Sequence, residues 1–198
     1  MLLRVQPIVE GHGEDGAIRI LLVRIWHELL GGAGIDVLRP FRKPQGTLLQ
    51  ETGLQATVDA AKIRLDSRTR DGFRKLVLIL IDSEGQCPAQ LGPQLLQWAR
   101  QARSDADIAC VMPHPMFETW FAAAAASLAG AHDLPADLKP PADPEGNGLG
   151  KGWLKRNLNR KYKETVDQPR FTAQMRLDEC RLNSPSFDKL CRELRQRL

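Results

Sequence analysis

The sequence predicts an α/β protein built on a mostly parallel sheet flanked by helices. Three observations carry this prediction. Two apolar runs, Leu2-Leu3-Arg4-Val5-Gln6-Pro7-Ile8-Val9 and Leu76-Val77-Leu78-Ile79-Leu80-Ile81, have the length of strands. The second lacks polar alternation, as a central parallel strand does when helices cover both sheet faces. Segments of helical periodicity alternate with such runs, the rhythm of a doubly wound sheet. Both runs end in an acid, Glu10 and Asp82, each followed by a glycine-containing turn. In open α/β sheets ligands bind beyond the carboxyl ends of the strands.

After the first strand, Glu14 and Asp15 open a segment in which Ile18, Leu21, Leu22, Ile25 and Leu29 recur at helical spacing, and Gly31-Gly32 closes it. Acids in the first turn suit the helix dipole. Residues 35–41 predict a second strand, and Leu54, Val58, Ala61 and Leu65 mark one face of a second helix. A buried strand over residues 75–81 follows, then a helix over 90–103, a strand over 107–112 and an alanine-rich helix over 117–128. Residues 130–152, rich in proline and glycine, break this rhythm; so long a loop is mobile, functional or a linker. Beyond it lie a basic helix near residues 153–162, a short segment near 171–177 and a final helix. In that helix Ser184 can cap, Pro185 suits the first position, and Phe187, Leu190, Cys191, Leu194 and Leu198 form an apolar stripe that predicts docking. The expected organisation is an α/β domain over residues 1–129, a Pro/Gly-rich loop over 130–152, and a basic helical extension over 153–198 packed on the same domain.

Composition narrows the class. At 198 residues and 42% hydrophobic, the chain suffices for one well-buried core and is short for two. No apolar stretch approaches the roughly 20 residues of a membrane span. The start lacks the pattern of a signal peptide, so a cytoplasmic location without membrane partners is expected. Cys87, Cys110, Cys180 and Cys191 show no C-x-x-C spacing, which indicates neither a zinc site nor a disulfide framework. No G-x-x-x-x-G-K-[ST] stretch occurs, so the chain is not expected to be an ATPase itself. The net charge of +4 is unevenly spread: residues 151–198 carry 13 Lys/Arg against 6 Asp/Glu, a net of +7, leaving −3 for residues 1–150. A clustered basic surface draws in nucleic-acid phosphates by releasing counterions, or simply coats a solvated helix. Lys155, Arg156, Arg160 and Lys161 are the candidates for positioning nucleic acid.

The acids are the candidate site. Glu10 and Glu14 after the first strand, with Asp82 and Glu84 after the later one, offer two carboxylate pairs to one crevice. Oxygen ligands of this kind hold hard cations, so magnesium is expected, with manganese able to substitute. Glu10 suits metal ligation or general acid/base work, roles the sequence does not separate. Glu14 also suits a first-turn acid complementing the helix dipole. Glu118, at the end of Met112-Pro113-His114-Pro115-Met116-Phe117, can reach the same crevice or cap a helix. His12 either contacts a phosphate or faces solvent, with solvent favoured, and Trp120 reads as core. Lys151, Lys161 and Lys163 are candidates for binding a substrate phosphate.

Glu10-Gly11-His12-Gly13-Glu14 after a first strand, with Asp82-x-Glu84 after a later one, resembles the Toprim domain shared by topoisomerases, primases and nucleases of the overcoming-lysogenization-defect type. Glu84 stands where the general Toprim pattern has a second Asp. Phe117-Glu118-Thr119-Trp120, Tyr162-Lys163-Glu164-Thr165-Val166-Asp167-Gln168-Pro169 and Ser184-Pro185-Ser186-Phe187 are similar to a bacterial Toprim-like family often encoded beside ATPases. The resemblance implies a Toprim-like fold and a magnesium-dependent nuclease acting on DNA or RNA, in bacterial defence or repair with a separate ATPase. It favours Lys163, within the family-like stretch, as the catalytic lysine beside Glu10 and Glu118. Two rival classes stay open: a non-catalytic module that docks an ATPase or nucleic acid, and a phosphate-ester hydrolase for a small nucleotide.

Overall fold

A computed structural model describes residues 2–67, 72–146 and 149–198. Strand β1 (Leu2–Val9) leads into helix α1 (His12–Arg24), which continues through a π-helical turn at Ile25–Leu29. Gly31, at a φ of +70°, ends it in a conformation that a side chain would disfavour. Next come β2 (Gly34–Val37), β3 (Phe41–Arg42), α2 (Gln45–Leu48), α3 (Glu51–Asp66), β4 (Phe73–Leu80), α4 (Pro88–Ala102) and β5 (Ile108–Val111). The C-terminal part is helical: α5 (Thr119–Ala123), α6 (Ala125–Leu128), α7 (Lys151–Asn157), α8 (Glu164–Gln174), α9 (Leu177–Asn183) and α10 (Pro185–Arg195).

The sheet runs in the order β2-β1-β4-β5, with β3 also on β1, and every described pairing is parallel. Side chains of a strand alternate between faces, and β4 shows it cleanly. Leu76, Leu78 and Leu80 join one apolar core, whereas Val77, Ile79 and Ile81 join the other. The second core lies under α3 and α4, through Leu54, Val58, Leu65, Leu95 and Ala99. The first holds α1 together with the helices after β5. Trp153, Leu154, Phe171, Cys180, Phe187 and Leu190 all lie within it. The C-terminal helices therefore close the first core.

Four elements differ from their expected form, each for an identifiable physical reason. The second strand is split, because Pro40 has no N–H for the ladder and the Gln6 side chain takes the Arg39 carbonyl at 3.0 Å. Leu38 and Lys43 still donate to Val5 and Val9 at 2.9 and 3.0 Å, so both pieces follow β1. The alanine-rich helix is broken at Ala124, where α9 intrudes: Asn183 Nδ2 donates to the Ala123 carbonyl at 2.9 Å, and Glu179 Oε1 accepts from Ala126 N at 3.0 Å. The basic helix stops at Asn157, whose side-chain amide donates to the Trp153 carbonyl at 2.8 Å. Leu158 then turns extended into the core. The short segment near residues 171–177 is instead the junction of α8 and α9, with Met175 extended and buried between them.

The long loop is anchored where it is described. Leu134 and Leu138 reach the first core, and Glu145 Oε1 accepts from Ser186 N and Oγ at 2.9 and 2.7 Å and from Ser184 Oγ. Asn147 and Gly148 of that loop lie outside the described residues. At the final helix Ser184 Oγ accepts from Phe187 N at 3.1 Å with Pro185 at the first position, the expected cap. No helix among the described residues is long and apolar enough to cross a membrane.

Helix α8 lies against α1 so closely that a Cβ on Gly13 would stand 2.0 Å from Gln168 Oε1 and 3.1 Å from the Glu164 carbonyl. Gly13→Ala gains about 1 kcal/mol of helix propensity. Overpacking costs about 1–3 kcal/mol, and a hydrogen bond to a charged group about as much again. The net effect is expected to be a loss on the order of 1–5 kcal/mol, read as a lower urea midpoint at unchanged slope. An unchanged midpoint would mean that α8 moves aside without cost.

Candidate functional site

Because the paired strands are parallel, β1, β4 and β5 all end at one edge of the sheet. Glu10 follows β1 directly, Asp82 lies two residues beyond β4, and Glu118 immediately precedes α5, after the loop that leaves β5, with no side-chain bond to that helix. Backbone bonds tie the β4 and β5 loops together: Ser83 N donates to the Pro113 carbonyl at 3.1 Å and Glu84 N to that of Pro115 at 2.9 Å. Ser83 Oγ and His114 Nδ1, 2.7 Å apart, add a side-chain tie. This brings Phe117 N within 2.9 Å of Asp82 Oδ1, which accepts its hydrogen. From the other side, the Gln45 amide of α2 donates to the Asp82 carbonyl at 3.2 Å.

The acids have different settings. Glu14 folds back over the start of its own helix, where Oε2 accepts from Gly11 N at 2.8 Å and Glu10 N at 3.2 Å. Those N–H groups stand at the N-terminus of α1, so Glu14 serves the first turn of its own helix with its side chain as well as its charge. Glu118 is fully buried; its Oε1 accepts from Gln168 Nε2 at 3.0 Å and Tyr162 Oη at 3.1 Å. Oε2 of Glu10 and Oε2 of Glu118 are buried and have no hydrogen-bond partner among the described residues.

Burial raises the pKa of each of these acids, and for Glu10, Glu14 and Asp82 the charges of neighbouring acids add to it. Asp82 is pushed well above the carboxylate range, first by burial and then by the charges of Glu14, Glu10 and Glu118, with the Phe117 N–H in partial opposition. Burial, then Glu14 and Glu84, push Glu10 from an ordinary 4.5 up to about 7, against Lys151 and Gln45. Burial also raises Glu14 and Glu118, and Lys151 opposes both. Lys151 itself, ion-paired with Glu164 at 2.7 Å, is held above its usual value: burial pulls it down, but Glu164, Glu118 and Asp82 outweigh that.

Glu10, Glu14, Asp82 and Glu118 thus form one electrostatic cluster. Glu84 stands at its rim, exposed in a left-handed turn at φ +44°. His12 is exposed. Lys163 sits with an exposed side chain at the start of α8, its backbone N donating to Asp167 Oδ2 at 2.7 Å. The lysine whose charge acts on the acids is Lys151. Tyr162, Gln168 and Gln45 were not singled out from sequence. The first two lie in the stretch carrying the family resemblance, which was the available signal, and no local pattern marks Gln45.

Buried carboxylate oxygens without donors suit a hard cation. Among the described residues no three Asp, Glu, His or Cys side chains stand ready to coordinate an ion together. What is offered is sparse carboxylate ligation, the kind magnesium accepts while keeping waters and substrate phosphates. Fold and site together define a parallel α/β protein with an acidic crevice at its strand ends. A family model described as a domain of unknown function (DUF4276) matches residues 9–195, and the chain belongs to that family. No curated protein and no solved structure matches it.

The raised Glu10 pKa makes stability depend on pH. Between pH 4.5 and about 7 the folded chain keeps a proton that the unfolded chain releases, so stability falls as pH rises through that window, and the full penalty is present above it. In chelator, Glu10→Gln should therefore melt higher than wild type at pH 8 and alike at pH 4. A variant that tracks the wild type at every pH would remove Glu10 from the coupled cluster.

Proposed function

We propose that this chain is a Toprim-like, magnesium-dependent enzyme that cleaves phosphodiesters in DNA or RNA, working in bacterial defence or repair beside a separate ATPase. The supporting observation is the convergence of Glu10, Asp82 and Glu118 from three strand ends, with two buried carboxylate oxygens unpartnered beside Lys151. The order of these acids along the chain agrees with the Toprim pattern.

Glu10 and Asp82 would hold the cation together with waters and substrate oxygens, and the cation would supply charge neutralisation on the phosphate and an activated water. The other tasks fall to the chain. The free Oε2 of Glu10 suits either ligation of the cation or the uptake and return of a proton, and a bound cation, which lowers the pKa of a carboxylate beside it, favours the first. Lys151 brings positive charge to the phosphate. Tyr162 and Gln168 hold Glu118 by one oxygen and leave the other available. Glu14 fixes the Glu10-Gly11 backbone and so the entry to the crevice.

One observation favours the non-catalytic module. Glu84 is exposed and Glu14 is turned onto its own helix, so two of the four expected ligands have other settings. Asp82→Asn separates the readings, because the amide oxygen can still accept from Phe117 N. The wild type should gain a magnesium-dependent rise in melting temperature, worth about 2.7 kcal/mol at a concentration 100-fold above Kd. It should also cleave a labelled oligonucleotide, and the variant should lose both. Full cleavage by Asp82→Asn would sink the proposed mechanism. Absence of cleavage by the wild type with every metal, while an ATPase or nucleic acid still binds, would put the module in its place.

A further inference from the structure

Beside the acidic crevice the chain forms a cavity of about 520 Å³, lined by Lys151, Lys155, Leu158, Arg160, Lys161 and Tyr162. Two of its lining residues also interact with the acids of the crevice. Lys151 acts on the acids, and Tyr162 Oη is bonded to Glu118. Its cations are not equivalent. Arg160 is committed to the fold, since its two guanidinium nitrogens each reach Asp167 at 2.8 Å and Nε reaches Asp133 at 2.8 Å. Lys155 and Lys161 are exposed, and among the described residues neither has a carboxylate partner. Elsewhere in the C-terminal part Arg176, Arg181, Arg192 and Arg197 are ion-paired, whereas Arg156, Lys163, Arg170, Lys189 and Arg195 show no carboxylate partner among the described residues, so it is their place on the cavity wall that sets Lys155 and Lys161 apart.

We infer that this cavity is a subsite for one nucleotide of a single-stranded nucleic acid, in which Lys155 and Lys161 take backbone phosphates and Leu158 with Tyr162 forms the wall for the sugar and base. The inference rests on the phosphodiester reading and names its substrate class. Two features select a strand over a duplex. Unpartnered cations beside an apolar wall are what single-strand binders present, a positive groove tracking the backbone with side chains against the base. The cavity also has the size of a pocket that encloses a small ligand, roughly 300–1,000 Å³, and a base stacked in a duplex is not free to enter one. Lys151 then bridges the subsite and the acids, placing the neighbouring phosphodiester at the crevice.

The test measures binding apart from cleavage, with calcium replacing magnesium. Fluorescence anisotropy follows a labelled single strand and its duplex at several salt concentrations, using the full chain. Lys155→Ala/Lys161→Ala removes the two contacts. Arg100→Ala/Arg195→Ala removes equal charge near the opposite sheet edge, where Arg197 meets Asp107 just before β5. The lysine variant should lose about 1.4 units from the log-log salt slope for the strand, so that between 50 and 200 mM salt its affinity falls about sevenfold less than that of the wild type. The arginine control should leave the slope unchanged. An unchanged slope in the lysine variant, or equal losses in both variants, would overturn the subsite, and duplex bound as tightly as the strand would overturn the strand assignment. The magnesium-dependent rise in melting temperature should persist in the lysine variant, so failure here is distinct from failure of the carboxylate site.

Discussion

Four carboxylates drawn together at one sheet edge, mostly out of water, repel one another, and the surrounding structure holds them against that repulsion. Two like charges about 4 Å apart oppose each other by about 4 kcal/mol at an effective dielectric constant of 20. The fold answers mainly with neutral donors. Backbone N–H groups of Glu10 and Gly11 serve Glu14, that of Phe117 serves Asp82, and Gln168 with Tyr162 serves Glu118. A neutral donor stabilises a carboxylate without cancelling its field, so the cluster keeps an unspent demand for positive charge or protons. Raised pKa values and unpartnered oxygens are two expressions of that demand.

Those donors constrain distant parts of the chain. Gln168 can reach Glu118 only because α8 packs on α1 over Gly13, and Phe117 N meets Asp82 only because the β4 and β5 loops are bonded to each other. Removing an acid therefore does more than relieve repulsion. Asp82→Ala would leave the buried Phe117 N–H without its acceptor, a cost of about 1–3 kcal/mol that offsets the electrostatic gain. Loss of function in such a variant could not be separated from a local change in the loop. The amide substitution avoids this.

The α/β rhythm was legible in the sequence because its signals are local: the aliphatic run of β4, the helical spacing of α1 and α3, the Ser184-Pro185 start of α10. What was not legible depended on partners far along the chain. Nothing within residues 117–128 announces a break at Ala124, since Asn183 and Glu179 supply the competing hydrogen bonds. The site divides the same way. Strand-end position was enough to single out Glu10 and Asp82, and the turn after β5 brought in Glu118. Among the candidate lysines it is Lys151, at the start of α7, whose charge acts on Glu10, Glu14 and Glu118, a long-range effect that no spacing in the sequence encodes. Charge counting likewise found the basic C-terminal part but not its internal pairing, and Arg160, a candidate for nucleic acid by composition, is bound on two sides by Asp133 and Asp167.

The segment from α7 to Tyr162 ties the acidic crevice to the core. It is fixed at three places: Trp153, Leu154 and Leu158 lie in the first core, Arg160 is held by Asp167 of α8, and Tyr162 is bonded to Glu118. A cationic surface on a loosely attached tail would have to be ordered at the moment of binding, and the entropy of ordering would weaken the complex. Here the backbone that carries the cations is set in place relative to the acids before any ligand arrives. The same helices that bury the core thus hold Lys151 over the carboxylates. Preorganised charge aimed at one position is more effective than mobile charge of the same sign. The distinction between an α/β domain and a basic extension then loses its physical meaning, because the positive half of the crevice and one wall of the core are a single stretch of chain.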